Sequence, residues 1–135
     1  MIKELRIGNY LKAPLGELAR VKQLGSLDYP DFIKCDLLNE KGEVNGFGQN
    51  GFEPIQLTPK ILLAAGFGLS EFQNRMVITY ENNKFDIWLY YYKEKCIYSS
   101  SCFPDGAKPI NYLHQLQNLY FALTGTELEI DITKI

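Results

Sequence analysis

The chain has 135 residues, the usual size of one domain, and at that length folding buries about two thirds of the unfolded surface. Apolar residues make up 46% and charged ones 22%, which excludes a disordered tail and a disulfide-stapled miniprotein. A net charge of −2 gives no general attraction to phosphate, and no run of Lys or Arg supplies a local one.

The first half is punctuated by glycine. Leu5, Ile7 and Leu11 surround the turn-like Gly8-Asn9, and Gly16 precedes Leu18, Ala19 and Val21. After Gly25 and Pro30 comes the apolar run Phe32 to Leu37, then the Lys41-Gly42 turn and Val44. Short strands with turn residues every eight to twelve positions predict a small, bent antiparallel sheet or partly closed barrel. Residues 42–52 carry four glycines and read as a loop or hairpin tip with its flanks.

A short helix over 58–66 follows from local chemistry. Thr58 offers a capping hydroxyl, and Pro59 has the backbone angle of a first helical turn. Ile61, Leu62 and Ala65 share a face, Gly66 fits the left-handed stop, and Phe67 is the apolar residue that packs back. Arg75–Tyr80 and Phe85–Tyr92 then flank Asn82-Asn83, a tight hairpin, with a third strand near Cys96–Ser100. Ser99–Pro109 reads as a polar loop. Asn111 is expected to cap a second helix in which Leu113, Leu116, Tyr120 and Leu123 recur at helical spacing, and Thr124-Gly125 ends it. Leu128, Ile130 and Ile132 alternate with acidic residues, the pattern of a final strand with one wet face.

The fold class expected is therefore α+β: a small antiparallel, partly closed barrel-like sheet, a short helix, a three-stranded meander, a C-terminal helix and a last strand. Residues 1–135 read as a single domain, with a β-rich subdomain over 1–54 and an α+β subdomain over 55–135. No window of 18 apolar residues occurs, so no membrane partner is expected. The start, Met1 to Arg6, lacks the apolar core of a signal peptide. Cys35, Cys96 and Cys102 are odd in number and share no CxxC spacing, which fits free thiols in the cytoplasm.

Three stretches invite a binding role, each with a plain structural alternative. Gly46-Phe47-Gly48-Gln49-Asn50-Gly51 matches GxGxxG, but Phe52-Glu53-Pro54 follows where a dinucleotide site needs a helix. Phe47, Gln49, Asn50 and Phe52 can instead line a contact loop, or the two phenylalanines can belong to the core. Trp88, Tyr90 and Tyr92 share one strand face and could stack bases, although the lysines nearby sit at strand ends. Core packing is the alternative there.

The third stretch is the helix itself. From Pro109 through Thr126 there is no Asp, Glu, Lys or Arg. A water-facing helix normally carries charge, so the His114, Gln117, Asn118, Phe121 face is buried internally, sits in an interface, or lines a ligand pocket. One histidine and three scattered cysteines give neither a metal set nor a nucleophile–base pair, and no acid–base carboxylate pair stands out. No enzyme activity and no cofactor are expected.

Glu4-Leu5-Arg6-Ile7-Gly8-Asn9-Tyr10, Pro54-Ile55-Gln56-Leu57-Thr58 and the run His114 through Leu128 (HQLQNLYFALTGTEL) together resemble a family of short uncharacterised proteins encoded in Bacteroidetes genomes, prophages and phages. The resemblance spans nearly the whole chain. It implies a phage-type accessory protein of the bacterial cytoplasm and carries no assigned site residues. The function expected is a non-enzymatic binding module for a host or phage protein, or for itself as a homo-oligomer, that modulates host defence or metabolism. A nucleic-acid or small-nucleotide binder using the aromatic strand is the alternative.

Overall fold

A computed structural model describes residues 4–47, 51–71, 77–92, 95–100 and 109–135. The chain forms two compact units. The first comprises residues 1–56 and 112–127, the second 57–111 and 128–135.

In the first unit, five short strands make one curled, half-barrel antiparallel sheet. They are β1 (Tyr10–Lys12), β2 (Leu18–Leu24), β3 (Phe32–Leu37), β4 (Glu43–Phe47) and β5 (Glu53–Pro54), in the order β4-β3-β2-β1-β5. Alternation decides what the curl encloses. Ala19 and Val21 of β2 point inward and pair with Leu37 and Cys35 of β3, while Arg20 and Lys22 point outward. Leu11, Ala19, Val21, Ile33 and Cys35 are all at most 1% exposed, and Leu5, Ala13 and Phe52 complete this core. A register shift between Val21 and Gln23 marks a bulge, the device that bends a small sheet.

The helix α2 (Leu113–Thr124) belongs to this first unit although it stands 57 residues beyond Gln56 in sequence (113 − 56). The first unit therefore runs through Gln56 and takes up this helix, while the strands of the second sheet belong to the other unit. The cap also moves by one place. Tyr112, not Asn111, is the extended residue before the helix, and its N–H donates to Gln115 Oε1 at 3.2 Å. Gly125 ends the helix at φ 73°, with its N–H on Phe121 C=O at 2.9 Å.

The second unit opens with α1 (Pro59–Ala64). Thr58 Oγ1 accepts the Ile61 N–H at 3.2 Å, as its position before Pro59 predicts. The turn after the helix brings the Phe67 N–H to Leu62 C=O at 3.0 Å, and Phe67 is 2% exposed. A four-stranded antiparallel sheet follows: β6 (Gly68–Glu71), β7 (Val77–Asn82), β8 (Phe85–Tyr92) and β9 (Lys95–Ser100), in that order. The last three are the expected meander, and β6 is a strand the sequence pattern did not disclose.

The expected final strand does not form. Residues 127–131 are irregular, and Ile132–Lys134 make one 3-10 turn capped by the Asp131 carboxylate, which accepts the Thr133 N–H at 3.1 Å. The alternation of Leu128 and Ile130 has another explanation: Leu128 is buried, and the Asp131 N–H is used on Ala64 C=O at the end of α1. No helix in the described residues is long and apolar enough to cross a membrane.

Candidate functional site

The polar face of α2 grips the N-terminal segment. Gly8 (φ 100°) and Asn9 make a turn whose Asn9 N–H reaches Arg6 C=O at 3.1 Å. Asn9 closes it from the other side, its Oδ1 accepting the Arg6 N–H at 2.7 Å. Just beyond, one side chain of the helix treats this segment as a strand would. Gln117 Oε1 accepts the Tyr10 N–H at 2.9 Å, and Gln117 Nε2 donates to Gly8 C=O at 3.1 Å. A primary amide carries one acceptor and two donors, so it satisfies a peptide N–H and C=O two residues apart. Gln117 is 1% exposed and Asn9 0%, so these bonds are made away from water.

Asn118 extends the clasp. Its Nδ2 donates to Glu4 C=O at 2.6 Å, and its Oδ1 accepts from Asn9 Nδ2 at 2.8 Å and from Arg6 Nε at 3.3 Å. The Arg6 guanidinium lies 4.3 Å from the Phe121 ring centroid and pairs through both terminal nitrogens with the Glu127 carboxylate, Nη2–Oε2 being 2.9 Å. His114 sits one turn earlier, 1% exposed, with Nε2 3.0 Å from Glu4 Oε2. A carboxylate only accepts, so Nε2 is the donor; Nδ1 has no partner among the described residues. The His114 bond is the main reason the Glu4 carboxyl is held below its ordinary value, and the Arg6 bonds do the same for Glu127.

Of the readings open for the helix face, internal burial is the one that this geometry shows at His114 and Gln117. His114 and Gln117 are core residues whose polar atoms face the chain's own N-terminal segment, and Asn118 is largely consumed there too. Of the four residues, Phe121 keeps substantial exposure, 39%, with Arg6 across its ring. The missing charge over 109–126 signals internal burial: an ammonium or carboxylate at position 117 would have to be desolvated against a peptide group.

The glycine-rich stretch divides differently. Phe52 is core at 5% exposure, and its ring would lie 3.2 Å from a Cβ added at Gly46. Phe47 is exposed, whereas Gln49 and Asn50 lie outside the described residues. The chain continues from here into β5 and not into the helix that a dinucleotide fingerprint requires. Phe47 meets Tyr29 edge-on, centroids 5.4 Å apart, and Leu27 in the same β2–β3 loop is fully exposed. Leu27 and Tyr29 escaped the sequence reading. The available signal was a leucine within Ser26-Leu27-Asp28-Tyr29-Pro30, a stretch too turn-rich to belong to a strand.

The aromatic strand face is not an open platform at Trp88. That residue is half-buried, and its cross-strand neighbours on the same face, Thr79 and Ser99, are 4% and 6% exposed. The Tyr90 and Tyr92 side chains lie outside the described part of the structure. Lys22 on the first sheet is paired with two carboxylates: its Nζ stands 3.3 Å from Asp36 and 3.2 Å from Glu43. No cluster of three metal-ligating side chains occurs among the described residues. The Cys35 thiol is buried, and desolvation, with help from Asp36, pushes its pKa up to about 11, the reverse of what a nucleophile needs. Comparison with family models, curated proteins and solved structures finds no match to this chain.

Proposed function

We propose that this protein is a non-enzymatic binding module that engages another protein, of the host or of a phage, through the apolar rim formed by Leu27, Tyr29 and Phe47. The observation that carries this reading is the exposure of that rim: Leu27 is 101% exposed and Tyr29 55%, beside a phenylalanine outside the core. Aromatic side chains with one face packed and the other in water bring large contact area at little entropy cost, which is why they anchor interfaces. The accessory role in a phage-infected cytoplasm rests on the family resemblance of the three motifs. Lys22, one of the cations a phosphate-binding surface would use, is already paired with Asp36 and Glu43, which gives less support to that surface.

The test is capture from bacterial lysate with wild-type protein and with Leu27→Asp, each with and without nuclease. A stoichiometric protein held by wild type through nuclease, and lost by L27D at unchanged melting temperature, is the expected result. Equal capture by L27D would move the contact elsewhere, and a nuclease-sensitive partner would replace a protein by a nucleic acid.

A further inference from the structure

We infer that the Leu27–Tyr29–Phe47 rim takes a cationic partner: a protein surface or peptide whose apolar residues are interleaved with Lys or Arg. This deepens the binding reading above and rests on it. Ser26 to Tyr29 form a closed turn in the β2–β3 loop. The Ser26 N–H donates to Tyr29 C=O at 2.9 Å, and Ser26 Oγ accepts the Tyr29 N–H at 3.2 Å. The Phe32 N–H reaches the same Tyr29 carbonyl at 3.1 Å, and the Gly25 N–H reaches Phe32 C=O at 2.7 Å, which ties the turn to the sheet. Leu27 and Asp28 are therefore its two corner residues, held in place before any partner arrives.

The placement of Asp28 selects the partner. It stands between the two apolar anchors of its own turn, and residues 26–31 are all exposed. A surface that covers Leu27 and Tyr29 must also meet the Asp28 carboxylate. Asp31 extends the charge toward Phe32, whose cross-strand neighbour is Phe47. A carboxylate covered without a countercharge loses its hydration and gains nothing in return. The loop brings no countercharge of its own: Gly25 through Ile33 contains neither Lys nor Arg, and Lys34, the next residue, lies 4.0 Å from Glu43. The same two aspartates repel a second copy of this rim, a nucleic-acid backbone and an anionic lipid surface. An apolar recess bordered by Lys or Arg meets both demands at once.

Amide shift mapping by NMR tests this with two synthetic peptides of equal length, alike in their leucines, one carrying lysine and the other glutamate at every remaining position. At physiological salt the lysine peptide should shift the amides of residues 26–29, 31, 32 and 47, and the glutamate peptide should leave them unmoved. The double variant D28N/D31N should bind the lysine peptide about three- to tenfold more weakly, the scale of two exposed ion pairs, and added salt should bring wild type toward that level. Leu27→Ser keeps both carboxylates and should also weaken binding, at an unchanged melting temperature because Leu27 is exposed. Lysine-peptide shifts confined to other residues, or D28N/D31N binding as tightly as wild type, each overturns the inference. Equal binding of both peptides at the rim, lost in L27S, overturns the charge inference and leaves the rim as the contact. Lysine-peptide binding unchanged in L27S overturns the rim reading with it. No shift from either peptide overturns the inference, while partner capture by L27D decides the rim reading separately.

Discussion

Asn9, Gln117 and Asn118 illustrate how a polar residue specifies a core. Each would cost free energy if buried alone, but together they exchange hydrogen bonds with one another and with the backbone of residues 4–10. Their sequence signal was negative: a helix without charge. That told of burial but not of the covering segment, because the partner lies 109 residues away. The charged margin of this cluster predicts a pH effect. Glu4 and Glu127 both have folded-state pKa values below the ordinary 4.5, through His114 and Arg6 respectively. The unfolded chain therefore binds protons first as pH falls. The stabilisation is fully present above about pH 4.5 and is lost as pH drops through the folded values. Denaturant midpoints measured from pH 7 to pH 3 should decline below pH 5, and Glu127→Gln should show a shallower decline. An identical profile for both proteins would remove the Arg6–Glu127 pair from the explanation.

At the scale of elements, what was legible in sequence was what local chemistry decides. Thr58-Pro59 fixes where α1 begins, Gly66-Phe67 how it stops, and Asn82-Asn83 where β7 turns into β8. Gly125 is another such signal, and it gives a clean test. It sits at φ 73°, and a Cβ added there meets nothing within 4 Å, so Gly125→Ala should cost about 1 kcal/mol through backbone strain alone. Urea denaturation measures this; a neutral substitution would mean the left-handed stop is not maintained in solution. The failures were elements decided by partners. Gly68–Glu71 is too short to show its period, yet it pairs with β7 at four positions, Gly68↔Glu81 to Glu71↔Ile78. Residues 128–132 have a strand's alternation, but the backbone hydrogen bond of Asp131 goes to a helix end instead. Alternation states a preference; a strand also requires a neighbour.

At the scale of the whole molecule, the chain leaves its first unit at residue 56 and returns to it at 112. A composition shift near Pro54 could announce the departure. The return could not be read locally, since apolar spacing marks which helix face is buried but not which sheet covers it. The curled β1–β5 sheet thus depends on a helix supplied from the other end of the chain, and Gln117 is the residue that joins them through the backbone. At His114, Gln117 and Asn118 the helix face is accordingly taken up by the chain's own N-terminal segment, and the Leu27–Tyr29–Phe47 rim is the contact proposed above.

Native-state hydrogen exchange at the Val21 amide, which donates to Asn9 C=O at 2.8 Å inside the first unit, tests this most directly in Gln117→Leu and in Leu27→Asp. Leucine at 117 leaves the Tyr10 N–H and the Gly8 C=O buried without partners, a loss of about 2–4 kcal/mol, equivalent to roughly 30- to 1,000-fold faster exchange through unfolding. That acceleration is expected in Q117L, with wild-type protection in L27D. Wild-type protection in Q117L would contradict it and return the α2 face to the solvent as a docking surface.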